Sequence, residues 1–234
     1  MDKDFKEVQF PFRSNVLNSL AINTLAIHVK DIDRRRIKMS SKKNIGLYFG
    51  TFNPIHVGHL TIANHMVEFS DLDEVWMVVT PHNPHKKKKT LLEDNHRLSM
   101  VRIALEDYPK LKASNIEFDL PQPNYTVNTL VHLEEKHPTH AFSLIMGEDN
   151  LKSFHKWKNY EVILKNYAIY VYPRISEGNV EHRFKDHAKI IKVNAPIMEI
   201  SSTFIRKAIS EGKNIRPLLP QNVWEYLDEM NFYK

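Results

Sequence analysis

The stretch that decides the fold is residues 48–60, "YFGTFNPIHVGHL". An apolar run ends at Gly50, a Phe-Asn-Pro turn follows, and His56 and His59 open the next segment. The chain holds six glycines, and two of them, Gly50 and Gly58, fall here. "NIGLYFG" (44–50) has the length and make-up of a buried strand. "VGHLTIANHMVEFS" (57–70) carries Val57, Leu60, Ala63 and Val67 at helical spacing. Such a junction leaves the first helical N–H groups unpaired beside the positive end of the helix dipole. An anion is the natural occupant. Gly50 would let a phosphate or nucleoside approach the main chain with no Cβ in the way. His56 and His59 would project from one face beside it, donating ring N–H bonds to phosphate oxygens and stabilising charge that grows during transfer. Two other readings of the pair stay open. One is metal ligation, with His82 and His85 as further ligands; the other is a structural pair at a helix start.

Outward from this junction, strand and helix signals alternate. "EVWMVVT" (74–80) is a short β-branched run, and "NHRLSMVRIALED" (95–107) is helical in period. After "NIEFDL" (115–120) come a helix at "TVNTLVHLEEKH" (126–137) and strands at "AFSLIMG" (141–147), "YAIYVYP" (167–173) and "AKIIKVNA" (188–195). "SSTFIRKAISEG" (201–212) and "QNVWEYLDEM" (221–230) close the chain as helices. The alternation implies βαβ units and an α/β fold: a doubly wound, mostly parallel, Rossmann-like sheet with a C-terminal helical part at 201–234. Ligands of such sheets bind beyond the carboxyl ends of the strands, where the strand order reverses. The opening stretch is delivered to that edge.

Composition narrows the classes. With 42% hydrophobic residues among 234, the chain can build a core. It has no cysteine, which excludes disulfides and thiolate metal sites and fits a reducing cytoplasm. The formal charge of +5 is confined to residues 1–43, where ten basic residues meet five acidic ones; the remainder is balanced. A neutral folded part lacks the basic bias that nucleic-acid binding requires. No apolar run approaches a membrane span. Residues 1–43 are expected to form a dispensable, disordered arm, with a start at Met39 leaving the domain at 44–234 intact.

"GTFNPIHVGH" (50–59) resembles the G-x-F-D-P-x-H-x-G-H signature of the nucleotidyltransferase superfamily, with Asn53 where Asp is usual and Phe49 where a second glycine is common. Five further segments resemble, in order, the bacterial nicotinate-nucleotide adenylyltransferases: "PHNPHK" (81–86), "HRLSMVRIAL" (96–105), "NYTVNTL" (124–130), "IMGEDNLKSFHKW" (145–157) and "ISSTFIR" (200–206). The likeness runs from Ile45 to Tyr233. It implies transfer of AMP from ATP to nicotinate mononucleotide, giving nicotinate adenine dinucleotide and pyrophosphate in NAD biosynthesis. It further implies that His56, His59 and Arg206 are catalytic, and that Gly50, Thr51, Phe52, Gly147, Asp149, Ile200, Ser201 and Ser202 help bind ATP, Asp149 through the ribose hydroxyls. Lys86, Thr126, Trp157 and Arg174 would bind the nicotinate nucleotide, Thr126 by its backbone N–H on the carboxylate and Trp157 by stacking on the pyridine. Magnesium would arrive with ATP, held by phosphates and water rather than by a protein cage.

The residue types agree with these roles, beside plainer readings. Ser201, Ser202 and Thr203 begin a helix and Arg206 can fork two phosphate oxygens, or they form an ordinary cap with a surface arginine. Trp157 suits a pyridinium, or is simple core. The run of lysines at 86–89 is a solvated loop that steers anions or faces water. The attacking phosphate oxygen is already anionic, so no general base is required, and catalysis rests on in-line positioning and charge neutralisation. Rival readings are a phosphopantetheine adenylyltransferase, whose motif has only the second histidine, a class I aminoacyl-tRNA synthetase, and a non-catalytic nucleotide-binding protein. Oligomeric state is not readable.

Overall fold

Side chains on a strand alternate between faces, and β1 (Lys43–Gly50) uses both. Ile45 and Leu47 pack into one apolar cluster, and Tyr48 packs into another across the sheet. The computed structural model describes residues 42–81, 91–174, 183–184 and 186–234. The arm before Lys42, including Met39, lies outside the described residues. So do His82, His85, Lys86 and the rest of the lysine run.

Lys43–Lys234 form one unit built from βαβ crossovers. β1 leads through α1 (Val57–Phe69) to β2 (Glu74–Val79), then through α2 (Asp94–Ala104) to β3 (Leu111–Ser114). α3 (Thr126–Lys136) returns the chain to β4 (His140–Gly147). Next come α4 (Glu148–Ser153), a 3-10 turn at Phe154–Lys156, α5 (Tyr160–Asn166), β5 (Ile169–Tyr172) and β6 (Ile190–Lys192). α6 (Ser202–Ser210), a 3-10 turn at Arg216–Leu218 and α7 (Gln221–Glu229) complete it.

The six strands are all parallel, in the order β3-β2-β1-β4-β5-β6. The order reverses between β1 and β4, so the crevice between their carboxyl ends is the place for a ligand. Register brings those ends level: Gly50 pairs with Val79, Tyr48 with Ile145, and Gly147 with Tyr172. Buried residues of α1, α2, α6 and α7 share the cluster with Tyr48. Those of α3, α4 and α5 share the one with Ile45 and Leu47. The C-terminal helices thus belong to the same core as the sheet.

Two stretches interrupt the regular alternation. "NIEFDL" is no regular strand or helix; its backbone turns, with Phe118 N–H donating to Asn115 and Leu120 N–H to Glu117. The strand lies just upstream, at Leu111–Ser114, where four residues on the sheet edge are too few to show a period. The chain between β4 and β5 is broken into two short helices and a 3-10 turn, because Asn159 sits in the left-handed region at φ 53° and starts a new helix.

Candidate active site

The first motif packs as a knot of rings. Phe52 is 2% exposed and holds φ at +45°, a left-handed conformation that is strained for a residue with a Cβ. Its ring meets Tyr48 and His59 edge-on, at 6.0 Å and 5.1 Å between centroids. A Cβ on Gly50 would lie 2.9 Å from the tip of that ring. The glycine expected to admit a ligand therefore makes room for Phe52. Asn53 is buried, and its Oδ1 accepts from Leu92 N–H and the Tyr233 hydroxyl. An amide fulfils this role without burying a charge, a physical reason for Asn where Asp is usual.

His56 precedes the first turn of α1 and His59 lies within it, their rings stacked at 3.7 Å and 25°. His56 N–H donates to His59 Nδ1 at 3.3 Å, so the neutral His59 ring carries its proton on Nε2. His56 is 4% exposed and its Nδ1 is buried without a partner. Burial, reinforced by the Arg174 guanidinium, lowers the His56 pKa to about 4. Burial, then His56, then Arg174 hold His59 well below the usual imidazole range. Both rings are neutral donors at pH 7. A Cβ on Gly58 would stand 3.0 Å from His56 Nδ1 and 3.6 Å from Ile200 Cβ, so this glycine seats the His56 ring.

The second motif is fastened to the first. Ser202 Oγ donates to the Pro54 carbonyl at 2.8 Å, and Arg206 Nη1 to the Asn53 carbonyl at 2.7 Å. Ser201 Oγ accepts from Phe204 N–H, a conventional helix cap. Ser201 is exposed, while Ser202, Arg206 and Ile200 are half-buried. Arg174 donates through Nη1 to the Met198 carbonyl at 3.0 Å, lies 5.5 Å from the Tyr172 ring, and leaves Nε buried without a partner. Arg174, expected to bind the nicotinate nucleotide, stands close enough to His56 and His59 to act on both electrostatically.

Across that edge lies a cavity of about 280 Å³ lined by Phe49, Pro81, Glu117, Asn124, Thr126 and Trp157, among others. Thr126 and Trp157, far apart in the chain, are thus brought together. Thr126 is the first residue of α3, and Trp157 rests edge-on against Phe154 at 5.4 Å. Gly147 ends β4, and the exposed Asp149 lies in the first turn of α4, at the same carboxyl edge. Thr51 is exposed after β1, and its carbonyl accepts from Arg97. Among the described residues, no cluster of three or more His, Asp or Glu side chains is placed to hold a metal, and no helix is long and apolar enough to cross a membrane.

Sequence reasoning passed over three residues. Arg97 is fully buried and donates to the Thr51 and Thr80 carbonyls at 2.6 Å and 2.8 Å. Tyr172 bonds the Tyr48 hydroxyl at 3.2 Å beneath Arg174. Glu117 is 3% exposed in the cavity wall. Only for Arg97 was there a local signal, its place in the quoted "HRLSMVRIAL" segment; the other two are joined by folding.

Comparison with known proteins agrees with this geometry. A cytidylyltransferase-like family model matches residues 47–208. A protein of Christiangramia forsetii described as a probable nicotinate-nucleotide adenylyltransferase is 71% identical over 82% of this chain and 99% of its own length. One of the same description from Flavobacterium johnsoniae is 70% identical over 81% of this chain and 98% of its own. Among solved structures, the Plasmodium falciparum nicotinic acid mononucleotide adenylyltransferase complexed with NaAD superposes with a TM-score of 0.68 at 23% identity, covering 82% of this chain and 97% of that one; this is a likeness of fold. With relatives this similar over nearly their whole length, and a reversal of strand order carrying both signature motifs, the chain belongs to the nicotinate-nucleotide adenylyltransferase family.

Proposed function

We propose that this chain transfers the adenylyl group of ATP to nicotinate mononucleotide, with the triphosphate beside His56, His59, Arg174 and Arg206 and the acceptor ring in the Trp157 cavity. The acceptor's phosphate oxygen attacks the α-phosphorus. The new P–O bond forms as the bond to the bridging oxygen breaks, and pyrophosphate leaves with the electron pair. The reaction yields nicotinate adenine dinucleotide.

One observation carries the reading. The neutral imidazole pair and Arg174, two of whose buried nitrogens have no protein partner, stand at the strand-order reversal that also opens the aromatic cavity. Of these the Arg174 Nε–H is always a donor; a buried unpaired donor calls for an acceptor, and phosphate oxygens supply it. His59 Nε2–H donates to the phosphates and the arginines offset their charge, while the first turns of α1 and α6 add their dipoles. Magnesium enters as part of the ATP complex, coordinated by phosphate oxygens and water. The cysteine-free sequence suits a reducing cytoplasm.

Pyrophosphate release from ATP tests this with four acceptor conditions: nicotinate mononucleotide, nicotinamide mononucleotide, phosphopantetheine and none. Release is expected with the first, less with the second, and none with the last two. His59→Ala should lower turnover by about 10²-fold or more and change the KM for ATP far less, as loss of a transition-state donor does. Turnover close to the native value would remove His59 from the chemistry.

A further inference from the structure

Glu117 is a carboxyl in an unexpected place. It is 3% exposed, yet it lines the cavity that also holds Thr126 and Trp157. Its side chain reaches α3, where Oε1 accepts from Thr129 Oγ1 at 2.7 Å, and Thr129 is fully buried. Its main-chain carbonyl accepts from Asn124 Nδ2 at 2.9 Å, fastening the loop that leads into α3. Asn124 Oδ1 is itself buried without a partner at the cavity wall. Tyr125, the residue before α3, is covered on its ring face by Lys158 Nζ at 4.1 Å, next to Trp157. One residue of the 115–120 turn thus ties down the first turns of α3 on two sides.

Resting on the assignment of this cavity to the acceptor, we infer that Glu117 is a positioning residue for the acceptor: its two hydrogen bonds set the height of the α3 amino terminus over the ring that Trp157 covers. The tolerance for misplacement at such a site is small, because backbone donors bind a carboxylate only within hydrogen-bond range. Burying a carboxyl is unfavourable, and burial does raise the Glu117 pKa, with side-chain hydrogen bonding from Thr129, then from the Asn124 amide, acting against it. Thr129 Oγ1 also lies 3.4 Å from the carbonyl of Tyr125, the residue before α3, so its hydroxyl has an acceptor in either charge state of Glu117.

Steady-state kinetics on Glu117→Ala, Glu117→Gln, Thr129→Val and Trp157→Ala test the inference, with thermal melts confirming that each is folded. Glu117→Ala should raise the KM for nicotinate mononucleotide about tenfold, equivalent to roughly one lost hydrogen bond to a charged group. The KM for ATP, and kcat at saturating acceptor, should stay within about twofold of native on the same reasoning. Glu117→Gln keeps an acceptor for Thr129 and should restore most of the loss. Thr129→Val, which removes only the donor, should move the acceptor KM in the same direction and carries the test if Glu117→Ala does not fold. Equal increases for both substrates, or an unchanged acceptor KM in Glu117→Ala and Thr129→Val, overturn the role. A Trp157→Ala variant with native acceptor KM overturns the cavity assignment together with it; a raised KM there alongside a silent Glu117→Ala removes Glu117 alone.

Discussion

His56 shows how packing changes what a residue is. In water an imidazole is half-protonated near pH 6.5. Enclosed by His59 and Gly58, and facing Arg174, it is held neutral down to about pH 4. The unfolded chain binds that proton first, so the folded state is fully favoured above pH 6.5 and loses ground as the pH falls toward 4. His56 alone then contributes about 3 kcal/mol that disappears across this window, and His59 acts in the same direction. Unfolding free energies from urea titrations between pH 7.5 and 4.5 should fall by about 2–3 kcal/mol. His56→Gln should flatten much of the dependence, and an unchanged slope in that variant would show that other groups titrate. The same neutrality leaves the pair as N–H donors at physiological pH.

At the scale of elements, the site is held by side chains of one segment bonding the backbone of another. α6 grips the first motif through Ser202 and Arg206. α2 grips it from the other side through Arg97, which binds the Thr51, Thr80 and Leu92 carbonyls and pairs with Asp94. The Thr51 and Thr80 carbonyls lie just beyond β1 and β2, where the ladder has ended and the backbone needs other donors, and Leu92 lies just before α2. Arg97→Met would fill the space but orphan the carbonyls and leave Asp94 without its guanidinium. A loss of about 3 kcal/mol or more is expected, roughly 10 °C in Tm. Arg97→Lys should recover little of it, since one ammonium cannot reproduce the fork. A Met variant melting within a degree or two of native would mean that water replaces the guanidinium.

At the scale of the molecule, the sheet is a platform and the chain's last residues close over its binding edge. Tyr233 donates to Asn53 Oδ1, and Phe232 packs edge-on against His96 at 4.9 Å, so the terminus is fastened to both the first motif and α2. Tyr233→Phe should lower stability by about 1 kcal/mol, or roughly 2–4 °C in a calorimetric scan. Turnover should fall with it, because Asn53 also presents its carbonyl to Arg206. An unaltered Tm would show that the hydroxyl bond is absent in solution. The doubly wound order was legible because each strand is a short apolar run and each crossover a helical period; β3 escaped because an edge strand of four residues buries too little to be patterned.

What the amino-acid order determined by itself was local or repeated: the alternation of strands and helices, the turn at Gly50–Pro54, the cap at Ser201, and the pairing of His56 with His59 one turn apart. These depend on periods of two and 3.6 residues and on turn chemistry, which neighbours in sequence set. Only the tertiary structure decided why Gly50 is a glycine, that Arg174 stands with the histidines, that Arg97 is a buried fastener, and that Glu117 faces the same cavity as Trp157. Each of those depends on the distance between residues far apart in the chain, and on the loss of water around them, which no local pattern encodes.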